Sequence, residues 1–225
     1  MSRIGVVMLL AMFAVPLQAR AEPNWTEGVQ FSRVQPSQPT GLPAGTVEVT
    51  EVFSYACPYC NQFQPTMHAL IASLPANVRV NYLPASFSPA EDFPMFQRAY
   101  YTALALGVAA KNHDAMFDAV WKSGELAVVN LRTDRLKNPL PSINDVARFY
   151  QRRAHIPISR FLATAQSFWV DLQIKNCDRL VKDYQVPGTP CIIVNGKYRV
   201  NMDAVGNNPK ELIELVNWLV KQESQ

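Results

Sequence analysis

Two of the four cysteines in this 225-residue sequence, Cys57 and Cys60, are separated only by Pro58 and Tyr59. Thiols at that spacing can close a small disulfide ring, which opens again by exchange with another pair of thiols. The reacting form is the thiolate, so the sulfur with the lower pKa is the one that attacks and is attacked. The flanking residues say which sulfur that is. Residues 47–53, VEVTEVF, set Val and Phe among Thr and Glu without Gly or Pro, and read as a buried strand. Pro58 suits the first turn of a helix, where its missing N–H costs nothing. That helix is expected to run through Gln62, Phe63, Met67, Leu70 and Ile71 to Leu74, kinked rather than ended at Pro65. Cys57 then falls at a helix N-terminus, where unpaired amides and the macrodipole favour a thiolate, with Cys60 one turn further in. Cys57 is the expected exposed nucleophile.

The rest of the chain must supply the compartment and the scaffold. Arg3, an apolar run over 4–15 and Ala19-Arg20-Ala21 fit an export signal cleaved after Ala21. The run is short for a membrane span, which disfavours the alternative of an uncleaved anchor. Export, here to a periplasm, gives an oxidising space in which a CxxC can hold its disulfide. Of 21 basic residues, Arg3 and Arg20 leave with the signal, so 19 face 18 acidic ones and the net charge falls from +3 to +1. That balance, with no basic run, gives no footing for a nucleic-acid partner.

Residues 22–45 are rich in Pro, Gln and Ser and read as an N-terminal arm, with an edge strand within 29–34 and no room for a dimerisation domain. The chain is expected to be a monomer. Residues 77–83 alternate as a second core strand, and 84–94, with three prolines, must be a connection. Helical spacing then recurs over 96–106, 115–121, 143–153 and 158–166. After a helix over 167–184 comes Val186-Pro187-Gly188-Thr189-Pro190, then a strand over 191–194 and the hairpin signal Asn195-Gly196. A strand over 197–200 and an amphipathic helix opened by Asn208-Pro209 close the chain.

Other residues invite plainer readings. His68, His113 and His155 fit no metal spacing. Phe117, Trp121, Phe149, Phe161 and Trp169 are expected in the core. Phe53, Tyr55, Tyr59 and Phe63 crowd the CxxC and could form an apolar surface for unfolded clients. Cys177 and Cys191 either close a second, structural disulfide or stand as two buried thiols. The oxidising compartment makes the disulfide the expectation to test. Glu51, taken alone, reads as a solvent-facing carboxylate on a strand edge.

Glu51-Val52-Phe53-Ser54-Tyr55-Ala56-Cys57-Pro58-Tyr59-Cys60, Gly188-Thr189-Pro190 and Val194-Asn195-Gly196-Lys197-Tyr198 together resemble the DsbA-type thiol:disulfide oxidoreductases. The resemblance spans essentially all of the chain after the signal. It implies an α/β thioredoxin fold with an inserted all-helical domain: signal 1–21, thioredoxin-like parts 22–87 and 167–225, and helical insertion 88–166. It implies that Pro190 is cis and packs on the active disulfide, and that Thr189 presents backbone to an extended client segment. It also implies that Glu51 is buried and relays protons to Cys60.

The implied activity is donation of the Cys57–Cys60 disulfide to folding exported proteins with free cysteines, through a mixed disulfide. No cofactor beyond that disulfide is implied, and a quinone-linked DsbB-type membrane enzyme would reoxidise it. The alternatives are a periplasmic reductase or isomerase, and a metal-binding or chaperone module. One departure bears on strength. The best-known pattern has His where Tyr59 stands, and a phenol brings no positive charge near neutral pH, so a weaker oxidant is expected.

Overall fold

A computed structural model describes residues 24–224, so the expected signal and its cleavage after Ala21 lie outside the described residues. Chain order is β1 (Ser32–Arg33), β2 (Val47–Phe53), α1 (Pro58–Ser73), β3 (Val78–Pro84), α2 (Phe93–Ala105) and α3 (Ala109–Trp121). There follow β4 (Val129–Asn130), β5 (Arg135–Leu136), α4 (Ile143–Ala154), α5 (Ile158–Ala165), α6 (Phe168–Asp183), β6 (Cys191–Val194), β7 (Tyr198–Asn201) and α7 (Pro209–Glu223). The main sheet runs β1-β7-β6-β2-β3, with β2 and β3 parallel and the other pairs antiparallel. This is the expected thioredoxin fold interrupted by helices. The small β4–β5 hairpin inside the insertion had no clear sequence signal.

Alternation along the central strands divides the core. Val47 and Val49 of β2, with Ile192 and Val194 of β6, pack against Phe63, Met67 and Leu70 of α1 and Leu212, Leu215, Val216 and Leu219 of α7. Val52, Cys191 and Ile193 belong to the second cluster, which α2, α3, α4 and α6 complete with Phe96, Tyr100, Phe117, Phe149, Tyr150 and Val170. Each such buried apolar side chain contributes about 1.5–3 kcal/mol. Pro65 sits inside α1 without ending it, because the helix is held by its buried face. In the β6–β7 hairpin, Asn195 and Gly196 both take positive φ. A Cβ on Gly196 would meet the Gln38 carbonyl at 2.0 Å, so only glycine fits where the N-terminal arm crosses.

Three sequence expectations need correction. Cys177 and Cys191 are free, buried thiols and not a disulfide. Cys177 lies in the body of α6, and its Sγ donates to the Pro84 carbonyl at 3.1 Å, at the outer edge of β3. Cys191 pairs with Val52 from the opposite side of β2. Two strand spacings, about 10 Å, thus stand between the edge that holds one sulfur and the strand that carries the other. Trp169 is 42% and its neighbour Phe168 80% exposed, since α6 turns Val170 and Cys177 inward instead. Of the aromatics around the CxxC only Tyr59 reaches the surface, because the insertion covers Phe53 and Tyr55 and α7 packs beside Phe63.

Candidate active site

Pro58 opens α1, and Cys57 is its N-cap, extended at φ −83° and ψ 118°. The cap side chain is a sulfur: Cys57 Sγ accepts the Cys60 backbone N–H at 3.4 Å, while the Cys57 carbonyl takes the Asn61 N–H. A thiolate here answers unpaired amides, as the sequence suggested. The Cys57 pKa is lowered to about 6, chiefly by a hydrogen bond from the Cys60 thiol, then by the Thr189 side chain and the amides of Cys60 and Tyr59; burial opposes them. Cys60 moves the other way, raised by burial and by the hydrogen bond and charge of Cys57. The expected exposure is corrected in degree. Cys57 is 5% exposed and Cys60 not at all, so the pair of free thiols offers one sulfur through a narrow opening. Tyr59, 67% exposed, stands at the rim.

The second half of the chain closes over this sulfur. The Thr189–Pro190 peptide is cis, and the Thr189 carbonyl accepts the Cys57 thiol at 3.4 Å. That contact favours the protonated sulfur and is given up when the thiol ionises. Residues 187–190 also form one wall of a groove of about 680 Å³, whose other walls come from Tyr59, Phe63 and Thr66 of α1 and from Asn201, Met202, Asp203, Asn207 and Pro209. An extended chain laid there has the backbone of Thr189 beside it, and the Thr189 carbonyl in turn lies 3.4 Å from Cys57 Sγ.

Glu51 is buried, which the resemblance implied and the residue alone did not. Strand alternation puts it on the β2 face of Val47 and Val49, the face that α1 covers, and so beneath the first turn that carries Cys60. Neither carboxyl oxygen has a hydrogen-bond partner among the described residues. Burial, then the charge of Cys57, pushes its pKa up to about 8. The carboxyl is therefore neutral at moderate pH, and once ionised its charge raises Cys60 in turn.

Sequence reasoning missed how the insertion holds the loop before Cys57. Trp121 Nε1 donates to the Tyr55 carbonyl at 2.8 Å, and the Tyr55 hydroxyl lies 3.0 Å from His113 Nδ1. His113 rests 4.3 Å, ring to ring, from Tyr82, the register partner of Glu51. Burial lowers its pKa to about 4, so this histidine is neutral. These contacts join residues 58 and 66 positions apart, beyond the reach of any local pattern. Among the described residues no group of His, Cys, Asp and Glu could hold a metal ion, and no helix is long and apolar enough to cross a membrane.

Residues 48–132 match the family described as DSBA-like thioredoxin domain. The thiol:disulfide interchange protein DsbA of Pseudomonas syringae pv. tomato is 32% identical over 97% of this chain and 93% of its own length. A crystal structure of a Pseudomonas aeruginosa DsbA variant superposes with a TM-score of 0.76 at 30% identity, covering 89% of this chain and 98% of that one. The oxidoreductase DsbA of Xylella fastidiosa gives 0.75 at 29% identity, over 88% and 97%.

Proposed function

Since the chain belongs to the DsbA family of thiol:disulfide oxidoreductases, we propose that it donates the Cys57–Cys60 disulfide to exported proteins as they fold. The observation that carries this reading is the opposed environment of the two sulfurs, one capped by amides at the end of α1 and one sealed beneath it. A client thiolate attacks Cys57 Sγ, a client–Cys57 disulfide forms, and the Cys57–Cys60 bond breaks with its electron pair on Cys60. Cys60 holds a thiolate poorly, so it takes a proton, and the neutral Glu51 carboxyl beneath it is the donor. A second client thiolate then attacks the client sulfur and expels Cys57 as the stabilised thiolate.

The client leaves with a disulfide and the enzyme keeps two electrons as a dithiol. No cofactor beyond the two sulfurs takes part. Client main chain pairs beside Thr189, which tolerates many sequences. A quinone-linked membrane enzyme of the DsbB type reoxidises the dithiol, and the site of action is the periplasm.

Cys60→Ser tests the sequence of steps. It removes the second sulfur, so the Cys57 thiolate should attack a client whose single cysteine is activated as a mixed disulfide with an aromatic thiol, expel that aromatic thiolate and hold the client as a covalent adduct, located by peptide mass. An adduct on Cys177 or Cys191, or none, overturns the reading.

A further inference from the structure

The groove beside Cys57 has a chemical bias that disulfide transfer alone does not require. Its floor is apolar, made by Phe63, Met202 and Pro209, and Asp203 is its only charged lining residue. Asp203 is exposed, and its Oδ1 accepts the Ala204 N–H at 2.9 Å. No ion pair to it occurs among the described residues. Tyr59 offers an exposed ring at the groove's edge. A carboxylate without a cation, an aromatic face and an apolar floor suit one kind of side chain. Lysine and arginine lay an aliphatic stem on apolar surface and carry only donors at the tip. Their charge is also attracted to an aromatic face.

We propose that Asp203 makes this groove a subsite for a Lys or Arg side chain of the client, close in sequence to the client cysteine. The inference rests on the disulfide-donor reading above and adds a preference among clients. Glutamate or aspartate at the same client position meets the Asp203 carboxylate and is disfavoured. Neutral side chains fall between.

The test uses the full-length oxidised protein and dithiol peptides of otherwise neutral sequence, with Lys, Gln or Glu moved through the positions flanking one cysteine. kcat/KM for peptide oxidation is read for wild type, Asp203→Asn and Asp203→Ser. Each protein is judged by its own Lys-to-Glu ratio, so a general loss of activity or folding cancels. In wild type the ratio should reach roughly three- to tenfold at one or two adjacent positions and stay near one elsewhere, the size expected for a partly screened charge pair. In both variants it should fall to near one. A ratio near one at every position, or one that survives in the variants, overturns the proposal. A wild-type protein that leaves even the neutral peptide reduced fails at the donor reading, and this inference falls with it.

Discussion

Glu51→Gln probes the buried acid with almost no change of shape. The folded carboxyl has its pKa at about 8, whereas an unfolded chain titrates near about 4.3. The unfolded state thus loses its proton first. Stability from this group is fully present below about pH 4.3 and is lost as pH climbs toward about 8. Near pH 7 the gap is roughly 2.7 units, which at about 1.36 kcal/mol each amounts to 3–4 kcal/mol. Glutamine cannot ionise and escapes that loss. Its buried amide lacks a partner, at a cost of about 1–3 kcal/mol, but the neutral carboxyl has the same defect and the two largely cancel.

The Cys57 thiolate works in the opposite sense. Its folded pKa is lowered, so it adds stability as pH rises above about 6 and would mask the effect. Both proteins should therefore carry Cys57→Ser, which also removes the smaller share of the Glu51 shift that comes from the Cys57 charge and leaves burial to hold the carboxyl up. Urea unfolding near pH 7 should show the Gln variant more stable by about 2–4 kcal/mol, with the gap widening by about 1.4 kcal/mol per pH unit from roughly pH 5 upward. A gap that does not change with pH, or a less stable Gln variant near pH 7, refutes the assignment of a neutral buried carboxyl.

Three further outcomes are expected. In the reduced protein, alkylation under mild conditions should modify Cys57 first, with a rate midpoint near pH 6 and not the roughly 8.5 of an ordinary thiol; prior labelling of Cys60 would reverse the roles of the sulfurs. Tyr59→His should lower the Cys57 pKa further and make the disulfide more oxidising, since an imidazolium adds positive charge at the rim; an unchanged potential would show that this position is not the lever. The oxidised protein should yield no reactive thiol when folded and two when unfolded, Cys177 and Cys191; a count of zero after unfolding would restore the second disulfide.

The chemistry was legible because its parts are local. The CxxC, the strand before it and Pro58 at the helix start lie within 47–60, and period and cap together place Cys57 as the N-cap. The hairpin at Asn195-Gly196 and the cap at Asn208 were equally local. What the local pattern did not show depended on which face of an element meets which neighbour. The burial of Glu51 follows from α1 lying over one face of β2, which no residue near Glu51 encodes. Cys177 and Cys191 are 14 positions apart, yet β6 enters the sheet on one side of β2 while α6 lies along β3 on the other. The Tyr55, His113 and Trp121 contacts form only once the insertion has folded back over the strand.

Disulfide donation requires a Cys57–Cys60 bond that is readily given up. Holding the Cys57 pKa at about 6 stabilises the dithiol near pH 7 by about 1.4 kcal/mol over a thiol still protonated there, or roughly 30 mV for this two-electron couple. The direct measurement is the redox state of Cys57–Cys60 after equilibration with glutathione buffers of graded ratio near neutral pH. A midpoint above about −230 mV is predicted, at least 70 mV more oxidising than the structural disulfides of exported clients and so a drive of about 3 kcal/mol toward the client. A midpoint at or below about −270 mV, the poise of a thioredoxin-like reductant, would contradict it.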